Sequence, residues 1–383
     1  MKTPLDSLVG QPVAAIDTPA PVIDLDAMER NLHKMAAFAR QHGMRLRPHA
    51  KMHKSAELAL LQMQAGAVGV CVQKTAEAEA LAAGGVNNIY ISNEVVAPAK
   101  LRRVAALVQA LAARGGRLAI AVDSLAGVQG LDTAMHQASA ADGCLDVFVE
   151  LDVGQGRCGV TEPEGVVPLA QAISQCPSLR FAGLQAYHGK AQHLRTPEER
   201  SAALSATLTK VTRARALLEN AGLPTPLITG AGTGTFVLEA ASGVYGELQT
   251  GSYLFMDADY ASNKPEASQP RFEHALFIKT QVISACADHA VCDAGHKSHA
   301  IDSGLPRVHG AALEFANGGD EHGILRANQP GTPLPALGDT IWLIPGHCDP
   351  TVNLHDYLIG VRGGLAQGVV ERIVRVDARG ALT

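Results

Sequence analysis

Aromatic residues are scarce in this chain: Phe, Tyr and Trp make up 4 % of its 383 positions. Ala, Leu, Val and Gly carry the apolar load instead, and with 47 % of residues hydrophobic the chain can bury a large core. Such a composition is expected of helices packed on a parallel sheet. Cysteine is sparse and scattered. Seven are present, an odd number with no Cys-x-x-Cys pair, which argues against a disulfide framework and makes a reducing cytoplasm the expected location. Positive charge is lacking too: the formal charge is −5, and Lys and Arg form no long run. That leaves no basic field for nucleic acid and no patch for an anionic membrane surface. No apolar stretch approaches a membrane span. The opening residues, MKTPLDSLVGQPVAAIDTPAP, lack the apolar core of a signal peptide.

What is present is an alternation. The length suggests one large domain or two. From Pro21 to Asp257, short β-rich runs alternate with amphipathic stretches. APVIDLD is followed by a helix from Ala27 to about His42, and then come MRLRPHA, VGVCVQ, IYISNE, LAIAVD, DVFVELDVG, FAGLQAY and PLITG. Each run is short and apolar on both faces, as in buried parallel strands. Eight such runs with helical connections predict a (β/α)8 TIM-type barrel, with a doubly wound open sheet as the competing architecture. After Tyr260 the character changes. HALFIKTQVISA, HAVCDAG, TIWLIPG, YLIGVRGG and GVVERIVRVDARG read as β segments joined by Gly and Pro turns. The expected organisation is an N-terminal segment (1–20) joining a C-terminal β domain (258–383), with the barrel spanning 21–257.

Candidate chemistry sits at the ends of these runs. In RLRPHAKMHK, Lys51 follows the end of a strand, where barrel enzymes carry catalytic groups and a low-dielectric setting can prepare a lysine to attack a carbonyl. Alone, the segment also fits a solvated basic loop. TGAGTGT (229–235) follows the PLI strand, and its glycines would let backbone N–H groups approach a phosphate. A plain glycine turn is the alternative, and neither a Walker A loop nor full dinucleotide-binding spacing is present. GQGRCG (154–159) puts Arg157 at a strand end, able to face a ring nitrogen or a carboxylate, or simply solvent. QAYHGKAQH supplies Tyr187, His188 and His193 for acid–base work. In PGHCDPTVNLHD, His347 and Asp349 share one face of an extended backbone, with Cys348 pointing away. One imidazole and one carboxylate suit Mn2+, Mg2+ or Zn2+ with water completing the shell. A polar turn is the simpler reading of that segment alone. DEHG (320–323) adds Asp320 and His322 as outer partners.

In order along the chain, RPHAKMHK, QKTAEAEALAAGG, VELDVGQGRCGV, LQAYHG, TGAGTG, GELQTGSYLFMDADY, DEHG and PGHCDPTVNLHD resemble the D-threonine aldolase family. This family belongs to the fold-type III pyridoxal-phosphate (PLP) enzymes, with alanine racemase and D-serine dehydratase. The resemblance implies an alanine racemase-like barrel with a C-terminal β domain, working as a homodimer whose subunits both shape each site. It implies that Lys51 is the Schiff-base lysine and that Gly232, Thr233 and Gly234 hold the phosphate, helped by Gly251, Ser252 and Tyr253. Arg157 would face the pyridine ring, and Gln73 and Tyr187 would line the cofactor. His347 and Asp349 would bind a divalent metal, manganese first, with magnesium, zinc or cobalt as the other candidates. His193 would sit near the substrate hydroxyl. The implied reaction cleaves Cα–Cβ of a 3-hydroxy-D-amino acid to glycine and an aldehyde, with His193 or metal-activated water as base.

Three other readings share the scaffold. D-serine dehydratases pair the metal-site histidine with a cysteine two positions on, where this chain has the hard oxygen ligand Asp349. Alanine racemases need a second base in the β domain, and no matching motif is found. PLP-homeostasis binding proteins lack the β domain altogether. Within the aldolases, AIDSGLP (300–306) and GHCDPT resemble a branch that cleaves 3-hydroxy-D-aspartate to glycine and glyoxylate, while D-threonine is the leading substrate expectation.

Overall fold

The computed structural model describes residues 5–138 and 144–383, so residues 1–4 of the N-terminal segment lie outside it. Strand β1 (Ala20–Asp24) leads into helix α1 (Leu25–Gln41), whose N-terminus is capped by the Asp24 carboxylate accepting from Ala27 N at 3.0 Å. Eight short parallel strands follow: β2 (Arg45–Leu46), β3 (Val70–Val72), β4 (Asn88–Ile91), β5 (Arg117–Val122), β6 (Leu145–Glu150), β7 (Leu179–Ala186), β8 (Ile228–Gly230) and β9 (Glu247–Leu248). The helices between them are α2 (Ala56–Gln64), α3 (Thr75–Ala83), α4 (Pro98–Ala112), α5 (Leu125–Gln137), α6 (Val166–Ser174), α7 (Pro197–Asn220) and α8 (Phe236–Ala241). The strand order is β2-β9-β8-β7-β6-β5-β4-β3. Val68 N donates to Leu46 O, and Cys71 N to Pro48 O, both at 2.8 Å, closing the ring between β3 and β2.

Period-2 alternation decides what faces where. Ile89 and Ile91 of β4, and Leu118, Ile120 and Val122 of β5, pack outward with the helices, while Tyr90, Ala119, Ala121 and Phe148 fill the barrel interior. Each outward aliphatic side chain contributes about 1.5–3 kcal/mol by burial. The other half of the interior is polar: Tyr90 OH donates to Gln185, Gln185 and Gln249 exchange amide hydrogen bonds, and Gln249 donates to Thr229.

Two expectations need correction. The APVIDLD strand does not belong to the barrel. β1 pairs antiparallel with β10 (Leu276–Ala285) and parallel with β16 (Tyr357–Arg362) in the β domain. Burial on both faces is common to barrel strands and central sheet strands, so apolarity could not tell them apart. The eighth barrel strand is instead β9, hidden in GELQTG because Glu247 breaks the apolar run. Its fully buried carboxylate is compensated by Arg45 of neighbouring β2 and by Arg47 just after that strand, each Nε at 3.1 Å, and by Thr229 Oγ1 at 2.9 Å.

The second sheet also contains β11 (Ala290–Cys292), β12 (Arg307–Val308), β13 (Leu313–Asn317), β14 (Gly323–Ala327), β15 (Thr340–Ile344) and β17 (Val369–Arg375). Its main path is β13-β14-β11-β10-β1-β16-β17, with β15 between β10 and β12. The N-terminal segment lies on it, Gly10 N donating to Val370 O and Val13 N to Gly368 O, both at 2.8 Å. A five-residue helix, α9 (Cys348–Val352), follows β15 and carries the PGHCDPT motif to the barrel mouth. Among the described residues, no helix is long and apolar enough to cross a membrane.

Candidate active site

The loops after the barrel strands and the β15–α9 turn enclose a cleft of about 720 Å3. Lys51, Gln73, Arg157, Tyr187, His193, Gly232, Thr233, Gly251, Ser252, His347 and Asp349, separated by up to 298 positions in the sequence, all line it. Gly234 and Tyr253 do not. They lie one layer behind, where Gly234 N donates to Gln192 Oε1 at 3.0 Å, and Tyr253 N donates to Thr233 Oγ1 at 3.1 Å.

Lys51 stands on the turn after β2, its side chain 39 % exposed and its Nζ 3.8 Å from Asp349 Oδ2. Beside it is His49, which sequence reasoning passed over as part of a basic loop. Its Nδ1 accepts from Lys51 N at 3.4 Å, and its Nε2 lies 3.0 Å from Gln73 Nε2 and 3.2 Å from Ser92 Oγ. Burial pushes the His49 pKa well below its usual value, and the charges of Lys51 and Arg157 act in the same direction. It therefore stays neutral. Gln73 is fixed by donating to Ser92 O at 3.2 Å. Burial raises the Tyr187 phenol, partly opposed by Lys51 and Arg157.

The glycine loop fits a phosphate. Gly232, Thr233, Gly251 and Ser252 line the cleft, and none of their backbone N–H groups donates a hydrogen bond among the described residues. Converging unpaired N–H groups are what an oxyanion requires. Ala231, just before them, has φ 67°, a left-handed conformation uncommon for a residue with a side chain and a mark of backbone held for a purpose. The glycines have a second reason to be there. A Cβ on Gly232 would lie 2.4 Å from Gln192 Oε1, and one on Gly234 would lie 2.5 Å from Gln192 O. Gln192 is fully buried and clamps the loop, its Nε2 donating to Thr235 Oγ1 at 2.8 Å.

The candidate metal motif is folded differently from the extended form expected. His347 is extended (φ −144°, ψ 126°) and acts as the N-cap residue of α9, while Asp349 is already in the helix's first turn. The two side chains still converge, with His347 Nε2 3.7 Å from Asp349 Oδ1. That Oδ1 is buried and has no hydrogen-bond partner, a costly condition for a carboxylate oxygen unless a cation completes it. The donor set of one imidazole nitrogen and one carboxylate oxygen fits a divalent ion with open positions. Cys348 is fully buried, and its N–H donates to Asp257 Oδ2 at 3.0 Å. Asp257 also accepts from Tyr260 N at 2.9 Å, and burial pushes its pKa up to about 6. Asp320, expected as an outer partner, instead pairs with His296 at 2.8 Å and Lys297 at 3.4 Å on the surface, and neighbouring His322 does not line the cleft. The carboxylate that reaches His347 is Asp302, whose Oδ2 lies 2.7 Å from Nδ1.

His193 ends a single 3-10 turn, Lys190–His193, and lines the same cleft as His347 and Asp349. Its Nδ1 is 2.6 Å from Asp259 Oδ2, which leaves Nε2 for a substrate. Burial pushes the Asp259 carboxyl up, but hydrogen bonds from His193 and Arg195 outweigh it and hold the pKa at about 2. Neither Asp257 nor Asp259 was singled out from the sequence, although both stand in the MDADY segment already quoted.

Comparison with known proteins gives the family and the fold. Residues 23–259 match the family model for the alanine racemase N-terminal domain, and residues 275–361 match that for a putative serine dehydratase domain. The chain is 45 % identical to a D-threonine aldolase of Arthrobacter sp., covering 97 % of this chain and 95 % of that one. It is 43 % identical to a 3-hydroxy-D-aspartate aldolase of Paracoccus denitrificans, covering 98 % and 95 %. A crystal structure of D-threonine aldolase from Filomicrobium marinum superposes with a TM-score of 0.93 at 44 % identity, over 98 % of this chain and 99 % of that one. A D-threo-3-hydroxyaspartate dehydratase of Delftia is more distant, at 31 % identity over 88 % of this chain and 92 % of that one. The chain belongs to the D-threonine aldolase family, carbon–carbon lyases of the PLP-dependent, alanine racemase-like fold.

Proposed function

We propose that this protein cleaves 3-hydroxy-D-amino acids of the D-threonine type to glycine and an aldehyde, using PLP on Lys51 and a divalent metal on His347 and Asp349. One observation carries the reading: the unpartnered Asp349 Oδ1 and His347 Nε2 converge in the cleft that His193 also lines, with Lys51 Nζ 3.8 Å from the other Asp349 oxygen. A β-hydroxyl between them meets a Lewis-acid site on one side and a proton acceptor on the other.

The residues divide the work. The N–H groups of Gly232, Thr233, Gly251 and Ser252 hold the phosphate, Arg157 faces the ring, and Gln73 and Tyr187 flank it. PLP, when bound, supplies the electron sink for the pair left on Cα as Cα–Cβ breaks. A divalent ion, when bound, makes the hydroxyl proton easier to remove. His193 Nε2 takes that proton as the carbonyl of the departing aldehyde forms. Asp259 fixes the ring tautomer and supports the imidazolium, as the carboxylate of a catalytic triad does. The hard oxygen of Asp349 favours manganese or magnesium over a thiolate-loving ion.

Exposed Ile301, Leu305 and Leu354, each at least 37 % exposed, support a homodimer with its contact at the β-domain side of the mouth. Seven free cysteines support a reducing, cytoplasmic setting. A second reading takes 3-hydroxy-D-aspartate as substrate. It is favoured by the 300–306 segment, which meets the metal motif through the Asp302–His347 contact.

Purified protein with PLP, given D-threonine or 3-hydroxy-D-aspartate with Mn2+ or chelator, tests both. Metal-dependent acetaldehyde or glyoxylate, with glycine, is the expected outcome and ranks the substrates. Keto acid and ammonia would reassign the protein to the dehydratases.

A further inference from the structure

We propose that Asp302 is a positioning residue for the metal centre, holding His347 with its proton on Nδ1 and its Nε2 directed at the ion. The inference rests on the metal assignment proposed above. Asp302 lies 45 residues before His347, on the far side of strands β12–β15, and its carboxylate meets the ring at 2.7 Å. An imidazole that donates from Nδ1 presents a lone pair at Nε2, and Nε2 is the nitrogen facing the unpartnered Asp349 oxygen.

The contact is built into the fold. Asp302 is half exposed, and a lone surface carboxylate there would be free to swing into water. Three attachments prevent that. Ala300 N donates at 3.0 Å to Thr351 Oγ1, which itself donates at 2.7 Å to His347 O. On the other side of Asp302, Gly304 passes so close to Gly346 that a Cβ on Gly346 would lie 2.2 Å from Gly304 O. Gly304 has φ +106°, which only glycine adopts easily. Ser303 Oγ donates to Asp302 Oδ2 at 3.0 Å. The loop 300–304 is thus strapped to residues 346–351 at both ends, with Asp302 between the straps.

Outer carboxylates of this kind commonly change metal affinity 10–100-fold on removal. Mn2+ binding to the PLP-loaded protein, followed by electron paramagnetic resonance of the free ion, measures this directly. Asp302→Ala should weaken binding roughly 10–100-fold, leave the cofactor's visible absorbance unchanged, and regain turnover at saturating Mn2+. Asp302→Asn, which keeps the shape and loses the charge, should fall between Asp302→Ala and wild type. If Asp302→Ala disturbs the absorbance, Asp302→Asn alone carries the test. Wild-type Mn2+ affinity in the deciding variant overturns the inference. Wild-type affinity in His347→Ala or Asp349→Ala would instead sink the metal assignment beneath it, so the two failures are distinguishable.

Discussion

The barrel rim and the β15–α9 turn serve one cleft but are built on opposite principles. On the rim, the groups proposed to bind are mostly main chain: four N–H groups from two loops, held by Gln192 and by the Thr233–Tyr253 contact. On the turn, the proposed metal binding rests on two side chains, one of them in contact with a loop far away in sequence. Spreading a function over backbone groups makes it tolerant of substitution at any one position. Concentrating it in two side chains makes it all-or-none.

The largest effect expected from a single change is an exception on the rim. Lys51→Ala should abolish the absorbance of the lysine-bound cofactor and lower turnover roughly 10³-fold or more. Asp349→Ala comes next. It should leave that absorbance intact and remove metal-dependent turnover, a loss of several kcal/mol of Lewis-acid stabilisation, or roughly 10²–10⁴-fold in rate. Full activity of Asp349→Ala in chelator would break the comparison, because the turn would then bind nothing that matters.

Gly232→Ala probes the distributed side. The new methyl would press on the end of the Gln192 side chain at 2.4 Å. Overpacking of this kind costs about 1–3 kcal/mol, and all four cleft-facing N–H groups are kept, with that of residue 232 pushed out of place. PLP affinity, measured by absorbance titration, should fall about tenfold, with turnover at saturating PLP close to wild type. A loss as complete as that of Lys51→Ala would show that the rim is no more tolerant than the turn.

The same contrast explains what could be read from the chain. Rim groups follow strands in short motifs, so local pattern and family resemblance suffice to bring Lys51, Arg157 and Gly232 to one cleft. The supports were not legible in this way. Asp259 reaches His193 across 66 positions, and Asp302 reaches His347 across 45. Nothing local distinguishes either from a solvated carboxylate. Asp320 was a reasonable guess for the outer partner, and the fold turned it toward Lys297 and His296 instead. β9 was missed for a related reason. Glu247 looks like a turn residue until Arg45 and Arg47 arrive from 200 positions away. β1 was misassigned because burial on both faces does not reveal which sheet does the burying.

The last predicted effect, on stability and not on binding or turnover, lies behind the rim, in Glu239 of α8. Its carboxyl is fully buried; Oε1 accepts from Thr235 Oγ1 at 2.6 Å, and Oε2 has no partner. Burial raises its pKa from 4.5 to about 7, against the lowering effect of the Thr235 hydrogen bond. Between those values the folded protein keeps a proton that the unfolded chain has lost. Stability therefore falls as pH rises from about 4.5, and above about 7 the full penalty is present, roughly 3 kcal/mol by the usual conversion. Glu239→Gln keeps the shape without the charge, so it should remove this slope. Its melting temperature should exceed wild type at pH 8 by a few degrees, and the difference should shrink towards pH 5. An equal difference at both pH values would mean that Glu239 does not titrate in this window. It would also mean that the rim's tolerance owes nothing to a proton stored behind it.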